Sequence, residues 1–142
     1  MEKRKIKYEF PFRIIDLKTN SFFIQNISNS DLEDFNADDI EFAFKPGFGF
    51  NEDLRVVKVN IEVSYQYKKN VLLKIDVDTI FEFEEAEDLD IKNKKKLAQL
   101  LGIAFSTVRG VILNRTIGNF MNNIYLPIIN PTEIIEEEFK TE

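Results

Sequence analysis

The chain has 142 residues, a length that suits one domain spanning 1–142 and allows a core to be buried without staples. It contains neither cysteine nor histidine, which removes disulfides, thiolate chemistry, the usual general base near neutral pH and the commonest metal ligand. A net charge of -6, from 25 acidic and 19 basic residues, lacks the electrostatic footprint of a nucleic-acid binder. The composition points to a protein that binds rather than reacts, with no catalytic residues, no metal site and no cofactor.

The first residues are basic (Lys3, Arg4, Lys5, Lys7), but no apolar run follows that is long enough for a signal peptide or a membrane span. This reads as a cytoplasmic protein without membrane insertion. Residues 6–17 and 21–27 are strand-like, but Pro11 and an Asn/Ser-rich exit place them at a sheet edge. Residues 26–39 read as a loop. From 39 to 45, Ile40, Phe42 and Phe44 alternate with Glu41, Ala43 and Lys45, and Pro46-Gly47 then reads as a turn.

The period-two signal is strongest in 55–68, where Val57, Val59, Ile61, Val63, Tyr65 and Tyr67 share one face. In 71–84, Leu73, Ile75, Val77, Thr79, Phe81 and Phe83 do the same, and Ile80 is the apolar intruder on the polar face. Apolar faces that point the same way require a hairpin pairing odd with odd positions. A three-residue loop, Lys68-Lys69-Asn70, achieves this, with Tyr67 opposite Val71, Val63 opposite Ile75 and Val57 opposite Phe81. Asn70 then takes the left-handed position. Glu62 falls against Asp76, a like-charge pair that Lys74, one diagonal away, relieves.

After Glu84 the period becomes helical: Leu97, Leu100, Leu101, Ala104, Phe105, Val108, Val111 and Ile112 predict a helix to about Phe120 covering the sheet. Asp90 or Asn93 would cap it, while Lys92, Lys94, Lys95 and Lys96 crowd its electrostatically wrong end. Gly102, Ser106, Gly110, Asn114 and Gly118 recur every fourth residue. Either they form a stripe on which another backbone can lie, with Gly102, Ser106 and Gly110 as an oligomer interface, or Gly102 breaks the helix. Tyr125, Leu126, Pro127 and Pro131 make an extended link, and Thr132 is placed to cap a short terminal helix. No repeat and no low-complexity tract is present.

Half of the 14 phenylalanines fall within about thirty residues: Phe22, Phe23, Phe35, Phe42, Phe44, Phe48 and Phe50. The ordinary fate of such rings is the core, where burying one stabilises by about 1.5–3 kcal/mol. The alternative is a groove that binds apolar segments without demanding a sequence. Phe42 and Phe44 are candidates, and Phe48 and Phe50, flanking Gly49 just beyond the Pro46-Gly47 turn, are the leading ones because turns are seldom deeply buried. The acidic run 82–90 lacks the turn glycine and ligand spacing of a calcium loop and reads as solvated, as do Asp76 and Asp78.

The element order, together with Val108-Arg109-Gly110-Val111-Ile112, Asn114-Arg115-Thr116 and Leu126-Pro127-Ile128-Ile129-Asn130, resembles the SecB export-chaperone family over roughly 14–135. The resemblance implies an α+β fold: a four-stranded antiparallel sheet covered on one face by a long helix and a short C-terminal helix. It also implies a homotetramer, a dimer of dimers, that holds unfolded preproteins in apolar grooves and hands them to SecA. Ile80-Phe81-Glu82 matches the family's apolar-x-acidic triplet, making Ile80 and Glu82 the docking residues, with Ile80 exposed. Two departures stand against this: Thr19 and Phe23 replace acidic residues of the first strand, which weakens SecA docking, and Ile103-Ala104-Phe105 replaces a proline-containing link. The alternatives are a SecB-like chaperone dedicated to one client, such as an antitoxin, and, from another class, a carrier of a small apolar ligand.

Overall fold

Alternating sequence becomes alternating burial in a computed structural model that describes residues 12–25, 35–51, 55–84, 94–124 and 126–138. Strands β1 (Phe12–Ile24), β2 (Ile40–Phe50), β3 (Val56–Tyr67) and β4 (Asn70–Phe83) form an antiparallel sheet in the order β1-β4-β3-β2. Helices α1 (Lys94–Arg115) and α2 (Pro131–Glu138) complete the fold. This is the expected architecture. The cap candidates Asp90 and Asn93, the acidic run beyond Glu84 and Tyr125 lie outside the described residues.

The central hairpin holds the core. Val57, Val59, Ile61, Val63 and Tyr65 of β3 and Leu73, Ile75, Val77, Phe81 and Phe83 of β4 are all buried, facing Leu97, Leu100, Leu101, Ala104, Phe105, Val108 and Ile112 of α1. Each large aliphatic or aromatic side chain so placed contributes about 1.5–3 kcal/mol. By length and apolarity α1 could cross a membrane. Its apolar stripe is, however, spent on the sheet.

The register agrees with expectation from Tyr65↔Leu73 to Val57↔Phe81, but the turn does not. The loop has two residues: Lys68 (φ 48°) and Lys69 (φ 69°) are both left-handed, Tyr67 pairs with Asn70, and Asn70 is not the left-handed residue. Two-residue hairpins of this kind match the twist of the strands. The parity error that such a loop introduces is absorbed by a bulge between Tyr65 and Gln66, with Leu72 as the extra residue, so both Leu72 and Leu73 are buried. The Glu62–Asp76 pair is relieved as expected, with Lys74 Nζ 2.9 Å from Glu62 Oε1.

Pro46-Gly47 is not a turn. β2 runs straight through it, pairing Pro46 with Ile61, Gly47 with Asn60 and Phe48 with Val59. An edge strand tolerates proline because one row of its N–H groups has no partner strand. The two N-terminal stretches likewise merge into a single edge strand, β1, with irregularities between Ile14 and Asp16 and between Thr19 and Ser21.

Helix α1 passes through Gly102 unbroken, which removes the helix-break alternative, and it ends earlier than Phe120. Its last carbonyls are claimed locally. Thr116 Oγ1 donates to the Ile112 oxygen at 2.7 Å and Asn122 Nδ2 to the Leu113 oxygen at 2.9 Å, before Gly118 takes φ 82°. A 3-10 turn, Phe120–Asn123, follows. α2 is capped by Asn130, not Thr132: Asn130 Oδ1 accepts from the N–H groups of Thr132 and Glu133, and Pro131 occupies the first helical position.

Candidate functional site

Because β2 continues through Pro46, period two puts Ile40, Phe42, Phe44, Phe48 and Phe50 on one face, opposite Tyr67, Tyr65, Val63, Val59 and Val57. That face is the helix side of the sheet. These aromatics are half-buried and packed against the core, lying along an edge the helices only partly cover. All four expected phenylalanines are therefore brought together, but the reason given for Phe48 and Phe50, proximity to a turn, is wrong.

The rings form a connected surface. Phe42 and Phe44 lie nearly parallel at 6.4 Å, Phe42 sits 5.7 Å from Tyr65, and Phe44 meets Phe105 of α1 edge-on at 5.2 Å. One helical turn on, the Arg109 guanidinium lies 5.7 Å over the Phe105 ring, and its Nη2 donates to the Pro127 oxygen at 3.4 Å. Phe44 thus joins β2 to α1, and Arg109 joins α1 to the link before α2. A groove of ≈ 340 Å³ lies between β2 and α2, where Phe44 and Pro46 face Glu133, Ile134, Glu137 and Glu138. A separate cluster, Phe35 against Tyr67 (4.9 Å) and Phe120 (5.3 Å), sits beyond the Tyr67 end of the row.

Two polar atoms near these rings, Tyr65 Oη and Arg109 Nε, are buried without a hydrogen-bond partner. Burial pushes the Tyr65 hydroxyl well above the ordinary phenol range, and the opposing charge of Arg109 only partly offsets this. The hydroxyl is a neutral donor at physiological pH. Tyr65, Phe105 and Arg109 were missed as site residues because each reads as an ordinary core or helix position. One signal was available: Arg109 is the only charged residue between Lys96 and Arg115.

The opposite sheet face is polar. Asn60 Nδ2 donates to Asp76 Oδ1 (2.5 Å) and Asp78 Oδ1 (2.7 Å), and Asn20 Nδ2 to Asp76 Oδ1 (3.1 Å). Partial burial pushes the Asp78 carboxyl up, but hydrogen bonds from Asn20 and Asn60 and the charges of Lys58 and Lys18 outweigh it and hold it below the usual range. Ile80 and Glu82 lie on this face, as the register requires. Ile80 is half-buried rather than exposed, with Asp16 and Lys58 as its strand neighbours. Glu82 is engaged by Arg13 at 2.9 Å.

The glycine stripe is divided. Gly102 is covered from within the chain, since a Cβ there would meet Pro131 Cγ at 3.4 Å, whereas Ser106 is exposed and Gly110 has nothing within 4 Å. At the far side of the sheet, Ile14 and Leu17 of β1 belong to the helix-side face by register yet are 46% and 44% exposed.

No protein-family model matches the chain, and no curated protein does. Among solved structures it is similar to a SecB-like chaperone of Mycobacterium tuberculosis in complex with a ChAD peptide from an antitoxin. The TM-score is 0.54 at 11% identity, covering 84% of this chain and 91% of that one. The shared feature is the fold, and it agrees with the SecB-like architecture expected from the sequence.

Proposed function

We propose that the chain is a SecB-like chaperone, one domain over 1–142, that acts in the cytoplasm by holding non-native polypeptide and catalyses no reaction. The observation that carries this reading is the half-open aromatic surface of Phe42 and Phe44 on an edge strand, which rests on the buried rings of Tyr65 and Phe105. Aromatic surface left unfilled by the chain's own core binds apolar segments by area and shape, with little demand on their sequence. Phe48 and Phe50 extend it along β2.

Two features favour a dedicated client over general export. The structural neighbour was solved with an antitoxin peptide. Glu82, which SecA docking would require, is already paired with Arg13. The export reading is favoured by the placement of Ile80 and Glu82 together on the outer face. In either case we assign assembly, as a dimer or a dimer of dimers, to the uncovered Ser106–Gly110 side of α1 and to the uncovered apolar residues of β1.

The test is suppression of aggregation of a chemically unfolded protein, comparing the chain with the double variant Phe42→Ser, Phe44→Ser. The native chain prevents aggregation at near-stoichiometric ratio and the folded variant does not. If the native chain fails at every ratio, the chaperone reading is wrong; if the folded variant protects equally, the groove lies elsewhere. Capture of one dominant partner from the host supports the dedicated role, and a broad set of exported proteins supports the general one.

A further inference from the structure

The geometry points to the free edge of β2 as an acceptor strand: a client segment is held there in extended conformation, as a fifth strand, by backbone hydrogen bonds as well as by contact with Phe42 and Phe44. This deepens the chaperone reading above and rests on it. The sheet order β1-β4-β3-β2 leaves two edges, and they are built differently. β1 is blunted. Its register slips between Ile14 and Asp16 and again between Thr19 and Ser21, and Asp16 Oδ1 takes up a backbone donor of the same stretch, the Leu17 N–H, at 2.9 Å. Bulges and edge charges are the devices that keep a further strand off a sheet. β2 has no bulge: its register with β3 runs without a slip from Ile40↔Tyr67 to Phe50↔Val57, and its charged residues, Glu41 and Lys45, stand on the outer face.

The register also tells which backbone groups face away from the sheet. Asn51 N–H donates to the Val56 oxygen of β3 at 3.2 Å. In an antiparallel pair, residues whose N–H and C=O face the neighbouring strand alternate with residues whose groups face away from it. Odd-numbered residues of β2 therefore turn to β3, and the even-numbered ones, Ile40, Phe42, Phe44 and Pro46, turn outward. Pro46 agrees with this, since it lies in the row where a missing N–H costs no ladder bond. Ahead of it, Ile40, Phe42 and Phe44 form an unbroken outward run, and no described strand pairs with them on that side. The place is open, because the groove of ≈ 340 Å³ between β2 and α2 is lined by Phe44 and Pro46. Donors and acceptors that alternate along one edge match an extended polypeptide backbone. A strand seated there sets every second side chain beside the Phe42 and Phe44 rings. Its backbone bonds demand no sequence, since every residue except proline offers the same N–H and C=O.

The experiment follows amide hydrogen exchange by NMR in the full chain, free and saturated with a short fluorescent peptide that alternates Leu or Phe with Ser. In the free chain the Phe42 and Phe44 amides exchange fast, while those of Ala43 and Lys45, bonded to β3, exchange slowly. The peptide slows Phe42 and Phe44 by roughly tenfold or more and leaves Ala43 and Lys45 as they were. Two further peptides of the same sequence, N-methylated on one alternate row of amides or on the other, are compared by anisotropy. Only one row can face β2, whichever way the peptide runs. One methylated peptide therefore binds roughly tenfold more weakly, the scale of two lost hydrogen bonds, and the other binds like the parent. Phe42 and Phe44 amides that stay fast in the complex, or equal affinities for the two methylated peptides, overturn the inference and leave the chaperone reading standing. Slow exchange of these two amides in the free chain overturns it too, and protection that grows with protein concentration makes a second copy of β2 the occupant. If the parent peptide does not bind, the chaperone reading fails and takes the inference with it.

Discussion

Replacing Gly110 with leucine separates folding from assembly. Gly110 sits inside α1 at an exposed position, and a Cβ built there meets no atom within 4 Å. Within one chain the substitution therefore removes a poor helix former at no steric cost. It stabilises by about 0.8 kcal/mol, which raises the thermal midpoint by roughly 2–4 °C for a chain of this size. In an assembly built on the Ser106–Gly110 side, the same leucine projects into the contact. Overpacking of this kind costs about 1–3 kcal/mol, so the dissociation constant rises between roughly fivefold and 150-fold. Gly102→Ala is the control, because its Cβ meets Pro131 of the same chain at 3.4 Å and not a partner. Sedimentation velocity over a concentration series, with thermal melts of the same samples, reads both quantities. A Gly110→Leu protein that melts higher yet assembles like the native chain refutes the use of this face. One that melts lower refutes the claim that the position is open.

Changing Lys68 to Asn and Lys69 to Gly relieves two left-handed lysines, each costing about 1–2 kcal/mol. The loss of the Lys68 contact over Tyr67 offsets about 0.5–1 kcal/mol of this gain. Denaturant unfolding then shows a net gain of about 1–3.5 kcal/mol, and a lower midpoint would show that the turn is held by something else. Asp78 has a folded-state pKa below its unfolded value. Its contribution is therefore fully present above the ordinary carboxylate range and is lost as pH falls through that range toward the folded value. Asp78→Asn flattens this part of the stability–pH profile, and an unchanged acid limb would contradict the assignment. Capture of uncharged apolar clients stays constant from about 0.05 to 0.5 M salt, since it is carried by apolar contact; a steep fall in affinity would make electrostatics the driver.

The core was legible because β3 and β4 have one buried face each, and a one-residue slip would expose Val59, Ile61, Ile75 and Val77 together. The turn was not, because sequence parity argues for three loop residues, while the chain uses two and corrects the parity with a bulge at Leu72. Pro46-Gly47 misled for a related reason: the pair signals a turn only where a strand must donate on both sides, and β2 is an edge. The phenylalanines of the groove could be found by composition and alternation. Tyr65, Phe105 and Arg109 could not, because what marks them is contact between elements: Phe105 beneath Arg109, Phe44 against Phe105, and Tyr65 behind Phe42.

The central claim is that polypeptide is held on the helix-side face of β2, and the alternation of that strand supplies its own control. Phe44 and Ala43 are sequence neighbours on opposite faces, Phe44 half-buried in the groove and Ala43 exposed on the outer surface. A photocrosslinking aromatic residue is placed at Phe44 in one sample and at Ala43 in another, and each is irradiated with an unfolded client. Crosslinks formed from position 44 and absent from position 43 are the predicted result; equal yields, or capture from position 43 alone, would contradict it.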